Sequence, residues 1–169
     1  MKGQISFVEF FAAMTIFITC VVYIAFQLIG FVPSYLNEVN DERVRIDAYQ
    51  ISELLVNDPG EPINWYSSSS IRRMGLSNEI TNVTNFLSLQ KIIAFNNYCN
   101  APGGYDNVKR NISSIGNFAI LLFNRTVNSG KLLINCNPSS PFSSPLNTSI
   151  RRIVAIDSND IGELIVQSG

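Results

Sequence analysis

Residues 10–32 of this chain read FFAAMTIFITCVVYIAFQLIGFV, a run of 23 residues without a formal charge. At about 1.5 Å per residue, a helix of this length crosses a hydrocarbon core of about 30 Å. A secretory signal peptide has a shorter apolar region of about 7–15 residues before a small-residue cleavage site, and no A-x-A pattern follows here. The run predicts a membrane-spanning helix; the alternative is the central helix of a soluble domain.

The flanks of this run predict its orientation. Lys2 and the starting amine are positive, which favours a cytoplasmic N-terminal end. Glu38, Asp41 and Glu42 follow the run and suit the outer side of a membrane. The rest of the chain is therefore expected to face outward, and its 19 Asn and 19 Ser are typical of exported surface proteins.

Beyond the run, apolar residues recur at helical spacing, which predicts an amphipathic continuation of the same helix. Proline removes one backbone hydrogen bond and crowds the preceding turn, so a kink near Gly30 and Pro33 is expected, without termination. The helix should stop at Asn57-Asp58-Pro59-Gly60. The apolar positions of the continuation are Leu36, Val39, Val44, Ala48, Ile51 and Leu55.

Three segments follow from these boundaries. Residues 1–3 precede the helix, residues 4–57 form the helix with its membrane part at about 7–33, and residues 58–169 form a globular head. One core of about a hundred residues suffices for such a head.

The head reads as α+β. A short helix is predicted from Asn85 or Ser88 to Tyr98, with Phe86 and Ile93 among its inward residues, and another brief helix from Asp106 to Ile112. Four apolar runs predict an antiparallel sheet of about four strands packed on the amphipathic half of the long helix. These runs are Phe118–Phe123, Lys131–Cys136, Ile150–Ile156 and Ile161–Gln167.

Composition argues against most enzymes. The chain has no histidine, which excludes Ser-His-Asp and Cys-His catalysis and histidine metal sites. Charged residues are only 15% and the net charge is −1, so there is no basic field for nucleic acid. Three cysteines without a CxxC pair exclude a zinc ribbon, and the sequence carries no GxSxG, phosphate loop or HExxH. We expect no catalysis and no cofactor.

The cysteines and asparagines of the head carry further expectations. Cys99 and Cys136 are its only cysteines, and they predict either a disulfide or two separate buried thiols. Four N-x-S/T sequons occur, although chance alone supplies two or three in so Asn- and Ser-rich a chain. The candidate glycosylation residues are Asn82, Asn111, Asn124 and Asn147.

Three smaller features leave alternatives open. Trp65 and Tyr66 either cover the end of the sheet or helix, or bind sugar. The segment 157–160, Asp-Ser-Asn-Asp, is a strand-joining turn or part of a calcium site. The neck, defined as residues 36–61, carries seven acids and two bases, whereas residues 62–169 carry nine bases and five acids. This imbalance either attracts neighbouring copies or marks a solvated helix face.

The N-terminal residues resemble a known signal. Lys2-Gly3-Gln4-Ile5-Ser6, followed by Glu9 and a Phe-rich helix, resembles the class III signal peptide of archaeal type IV pilins. Asp58-Pro59-Gly60-Glu61-Pro62-Ile63-Asn64-Trp65 with Met74-Gly75-Leu76 also looks like a stretch of archaeal pilin-like proteins. The resemblance implies that residues 1–3 are a leader peptide and that a membrane peptidase cuts between Gly3 and Gln4. It also implies that Glu9 pairs with the Gln4 amine of an adjacent subunit and sets axial register.

The resulting hypothesis is a structural subunit of an archaeal surface filament, with roles in adhesion or surface interaction. Its expected partners are other copies of itself, the prepilin peptidase, the pilus assembly machinery and the membrane. It would lie in the cell membrane as a precursor and then in an extracellular filament. A single-pass surface receptor or adhesin that does not polymerise is the alternative, and a membrane-tethered enzyme is a third hypothesis.

Overall fold

The computed structural model describes residues 7–68, 70–78, 84–114, 116–126, 130–139, 148–157 and 159–169, except the side chain of Ser34. The chain divides into two compact units between Asn40 and Asp41. We call residues up to Asn40 the helical unit and Asp41–Gly169 the head unit. The division falls inside one helix, so the two units are described separately.

Helix α1 runs from Phe7 to Asn57 and has Pro33 in its interior. Its last backbone bond is donated by Asp58 N to Leu54 O at 3.1 Å. Pro59 follows directly and cannot continue the helix, and Gly60 then takes a φ of 90°, a conformation that suits glycine. The predicted stop at residues 57–60 therefore agrees with the end of α1.

The head unit is α+β. Besides the second part of α1, its described residues form a short 3₁₀ turn, two helices and a curled five-stranded sheet with the strand order β1-β4-β5-β2-β3. These elements are the 3₁₀ turn Trp65–Ser67, β1 Phe86–Leu87, α2 Leu89–Asn100, α3 Gly104–Ile112, β2 Phe118–Asn124, β3 Lys131–Cys136, β4 Thr148–Ile156 and β5 Asp160–Ser168.

The sheet corrects the sequence prediction of about four antiparallel strands. Strands β2 to β5 are antiparallel to their neighbours, but β1 is a fifth strand that pairs in parallel with β4, Phe86 opposite Ala155 and Leu87 opposite Ile156. A two-residue strand is too short for its alternation to be recognised. Because β1 pairs in parallel with β4 and the other pairs are antiparallel, the sheet is mixed.

Of the two predicted starts of the second helix, Ser88 is confirmed as the N-cap residue of α2, and Asn85 is wrong. Asn85 has a φ of 62°, and Phe86 lies in β1, so neither belongs to the helix. The first helical N–H, of Leu89, donates to Oδ1 of Asp157 at 2.9 Å, so the capping side chain comes from the turn after β4. Ile93 was expected to face inward and is instead 52% exposed.

The core lies between one face of the sheet and three helices. Strand β2 is largely buried along its length, as expected for a strand with neighbours on both sides. The helical side chains at the centre of this core are Ala48, Ile51, Leu55, Val56, Ile92, Phe95 and Val108, and the strand side chains are Phe118, Ile120, Leu122, Ile134, Val154, Ile156, Leu164 and Val166.

Candidate functional site: the exposed apolar helix

The helical unit presents a long apolar surface. Its large hydrophobic side chains, from Phe7 to Leu36, are exposed by 46% to 76%. In the head unit, by contrast, the same helix has buried side chains: Ala48, Ile51 and Leu55 are each exposed by 2% or less. A single exposed hydrophobic residue is ordinary, but a contiguous surface of this extent marks contact with lipid or protein.

The same segment meets the length and hydropathy requirements of a membrane span. Its most apolar window has a mean hydropathy of 2.2 and is 0% buried. The central helix of a soluble protein passes the same requirements but is mostly buried. The helix is thus long and apolar enough for a membrane anchor, and its position near the N-terminus also fits a signal sequence.

Three polar side chains within this surface, those of Thr15, Thr19 and Gln27, are hydrogen-bonded within the helix itself. Thr15 Oγ1 donates to Phe11 O at 2.8 Å, and Thr19 Oγ1 donates to Thr15 O at 2.8 Å. Gln27 Nε2 donates to Tyr23 Oη at 2.9 Å. Because these donors already have acceptors one turn away, burial in lipid or against another helix does not leave them unpaired.

The residues singled out near the N-terminus are only partly described. Glu9 is exposed in the first turn of α1. Gly3 and Gln4, the predicted cleavage position, lie outside the described residues. The helix continues through Gly30 and Pro33, in agreement with the expected absence of a break there, and the kink itself stays a prediction.

The head cysteines are joined. Cys99 of α2 and Cys136 of β3 form a disulfide with 5.7 Å between their Cα atoms. The bond ties the end of α2 to the last residue of an edge strand. Cys20 is an exposed thiol in the helical unit.

The sequons differ in their surroundings. Asn124 is only 6% exposed; its Nδ2 donates to Asp160 Oδ2 at 2.8 Å and its Oδ1 accepts from Thr126 N at 2.9 Å. Asn111 is half-buried in the last turn of α3. Asn82 and Asn147 lie outside the described residues.

Charge pairs inside the head unit account for much of the imbalance noted in the sequence. Three neck acids meet bases from the basic part of the chain: Asp58 with Arg73 at 2.6 Å, Glu61 with Arg72 at 3.4 Å, and Glu53 with Arg152 at 2.7 Å. These pairs neutralise charges that would otherwise attract another copy. The hydrogen bond from Arg152, followed by that from Tyr49, lowers the pKa of Glu53.

Trp65 and Tyr66 differ in exposure, and the segment 157–160 leads from β4 into β5. Trp65 is 1% exposed in the core, whereas Tyr66 is 42% exposed. Asn159 has a φ of 61° in the turn between β4 and β5. Among the described residues, no three His, Cys, Asp or Glu side chains are grouped to hold a metal ion.

Comparisons of the chain with protein-family models, with curated proteins and with solved structures find no match. Function is therefore inferred from the chain's own residues and contacts.

Proposed function

We propose that this chain is a structural subunit of an archaeal type IV pilus-like surface filament, which polymerises through its N-terminal hydrophobic helix and takes part in adhesion or surface contact. The observation that carries the proposal is the exposed apolar surface of Phe7 to Leu36. Such a surface has to be kept from water. Lipid would cover it in the membrane, and other copies of the helix would cover it in the filament.

Both coverings keep the apolar surface away from water, so burial of this surface holds an assembled filament together but does not by itself draw the helix out of the bilayer. In a bilayer, a lone apolar helix gains little by meeting another, because lipid tails are equally apolar. Outside the bilayer, the same surface must be buried against neighbouring helices. At about 25 cal/mol per Å², burial of on the order of 1,500 Å² contributes tens of kcal/mol before entropic costs. The bundle of helices would then hold without covalent links.

The N-terminal resemblance supplies the order of events. The precursor lies in the membrane, a prepilin peptidase removes residues 1–3 after Gly3, and the assembly machinery moves the mature chain into the filament. Glu9 pairs with the new amine of Gln4 on an adjacent subunit. A carboxylate at the edge of an apolar surface costs about 2–3 kcal/mol unless it pairs or reaches the interface, so such pairing would set the register.

The head unit supports the outward placement. A disulfide between Cys99 and Cys136 is stable in an oxidising compartment, which for this chain is the cell exterior. A helix that stays in the bilayer permanently would serve a single-pass receptor or adhesin equally well, so this alternative needs the same experiment.

The experiment shears filaments from native cells and determines the N-terminal peptide by mass spectrometry, with membranes from the same cells as the matched sample. A filament subunit is recovered in the sheared fraction and begins at Gln4. A receptor keeps residues 1–3, is absent from the sheared fraction, and is released from membranes only by detergent; that outcome rejects the filament.

A further inference from the structure

We propose that a cleft in the head unit, beside the 3₁₀ turn Trp65–Ser67, binds a neutral carbohydrate. The cleft has a volume of about 470 Å³, within the range of small-molecule sites. Its wall combines one aromatic ring, that of Tyr66, with the amides of Asn64, Asn78 and Gln90 and the carboxylate of Asp157. We call these five residues the Tyr66 cleft.

The ring of Tyr66 is open to solvent beside a buried neighbour, Trp65. Trp65 is buried, and its Nε1–H donates to Gly75 O at 2.9 Å. Tyr66 meets the Trp65 ring edge-on, with 6.5 Å between the centroids, and stays 42% exposed. A buried and hydrogen-bonded tryptophan cannot stack on a ligand, but it fixes a turn that presents the next ring. The C–H face of a sugar packs on a ring presented in this way.

The polar groups around the ring suit hydroxyl groups. An amide offers both donors and acceptors, and a sugar hydroxyl can use either. The backbones that carry these amides are themselves fixed. Asn78 N donates to Phe86 O at 2.9 Å, and Asn64 O accepts from Ser67 N at 2.9 Å. Asp157 is positioned by the bond that its Oδ1 accepts from Leu89 N.

The carboxylate of Asp157 disfavours an anionic ligand, because it already accepts from Leu89 N and offsets the positive N-terminal end of α2. The lysine of the cleft, Lys91, is 5% exposed, and its Nζ donates to the carbonyls of Pro59 at 2.7 Å and of Ser77 at 3.0 Å. The ammonium is thus turned into the protein. A phosphate or carboxylate would instead meet the carboxylate of Asp157. A neutral ligand with hydroxyl groups and one apolar face avoids this repulsion.

The site lies wholly within the head unit, so it goes beyond the proposed filament and does not depend on polymerisation. A chain that never assembles would bind sugar, and a filament of these chains would carry one such site on each head.

The test is saturation-transfer difference NMR on the full chain in a zwitterionic detergent that contains no sugar. Cellobiose, lactose and N,N′-diacetylchitobiose are the probes, and glucose 6-phosphate and trialanine are the anionic and peptide comparisons. We expect transfer to the ring protons of at least one neutral disaccharide and much weaker transfer to both comparison compounds.

Variants locate the signal. Tyr66→Ala should lower the transfer about five- to tenfold, and Tyr66→Phe should keep it within about twofold, because the ring does the packing. Gln90→Ala, an exposed change on α2, should lower it about twofold to fivefold. Ile153→Ala, an exposed change on β4 outside the cleft, should leave it unchanged. Thermal unfolding followed by circular dichroism checks that each variant is folded.

The proposal is overturned by any of three results. These are absence of transfer to all three disaccharides, equal transfer in the folded Tyr66→Ala and Gln90→Ala variants, or stronger transfer to trialanine or glucose 6-phosphate. The last result would assign the cleft to a peptide or an anion.

Discussion

Arg152 on β4 binds Glu53 on α1, with 2.7 Å between Nη2 and Oε1. The same guanidinium donates from Nε to Ser52 Oγ at 2.9 Å and lies 5.1 Å from the centre of the Tyr49 ring. One side chain of the sheet thus contacts three residues of the helix, Tyr49, Ser52 and Glu53. Arg152 ties the amphipathic part of α1 to β4, in addition to the apolar packing of Ala48, Ile51 and Leu55 in the core.

The Arg152–Glu53 pair makes the free energy of unfolding of the head depend on pH in the acidic range. Arg152 lowers the pKa of Glu53 below its usual 4.5, so the folded chain binds fewer protons than the unfolded chain as the pH falls. The contribution is complete above pH 4.5 and is lost as the pH falls through the folded-state pKa. Glu53→Gln should lower the urea midpoint at pH 7 and reduce its decline between pH 5 and pH 3.

The measurement is urea unfolding of the full chain in detergent across that pH range. Glu42→Gln changes an exposed acid on the same helix and should leave the curve as it is. Identical curves for Glu53→Gln and the unaltered chain would show that the pair does not contribute.

The disulfide should stabilise the head by about 3–4 kcal/mol, since it closes a loop with a sequence separation of 37. Replacing Cys99 and Cys136 together by serine should lower the free energy of unfolding by that amount. Cys20→Ser is the matched control, because this exposed thiol lies in the helical unit. Denaturant midpoints with and without reductant measure the effect, and a reductant-independent midpoint in the unaltered chain contradicts it.

Asn124 should carry no glycan, although it stands in a sequon. Its Nδ2, the atom that would be glycosylated, is buried and donates to Asp160. Glycopeptide mass spectrometry of the native protein should find this peptide unmodified. Asn124→Ala should lower the free energy of unfolding by about 1–3 kcal/mol, because Asp160 and the Thr126 N–H each lose one hydrogen bond. A sugar found on Asn124 would show that the residue is modified before the head closes.

Gly75→Ala should destabilise the head by about 1–3 kcal/mol through overpacking. A Cβ on Gly75 would overlap the backbone carbonyl of Asp58, which is not a flexible group. The hydrogen bond from Trp65 to Gly75 O would shift as well. Because Trp65 is the one tryptophan of the chain, its fluorescence reports this site directly. Gly30→Ala is the control, since nothing lies within 4 Å of its Cβ position, and it should leave the emission unchanged.

Tyr105 should make the head sensitive to alkali. Its hydroxyl donates to Phe118 O at 3.0 Å and accepts from Phe118 N at 2.9 Å, and burial raises its pKa above the usual 10.0. The unfolded chain therefore loses this proton first, so the contribution is complete below pH 10 and is lost as the pH rises further. Tyr105→Phe should cost about 1–2 kcal/mol near neutral pH and weaken the alkaline decline. Unfolding curves recorded from about pH 8 to about pH 11 provide the measurement, since this range brackets the usual tyrosine pKa of 10.0. Tyr66→Phe is the control and should leave the curves unchanged.

Local patterns were sufficient for most secondary structure. The uncharged run at residues 10–32 predicts a helix, and α1 contains it. The apolar run Lys131–Cys136 coincides with β3, because a strand between a turn and a loop is bounded by its own residues. Strand β1 could not be found this way, since its pairing with Ala155 and Ile156 depends on a segment far along the chain.

By itself, the sequence determined that residues 10–32 form an apolar helix, because hydrophobicity and helical rise are properties of the segment alone. Only the tertiary structure decided which polar and aromatic residues remain accessible. Trp65 and Tyr66 are neighbours in the sequence. Trp65 is buried and donates to the carbonyl of Gly75, ten residues away, whereas Tyr66 is exposed. Asn124 stands in a sequon, but its side-chain amide donates a hydrogen bond to Asp160 in the folded head. Burial and pairing depend on distant residues, which a local pattern does not contain.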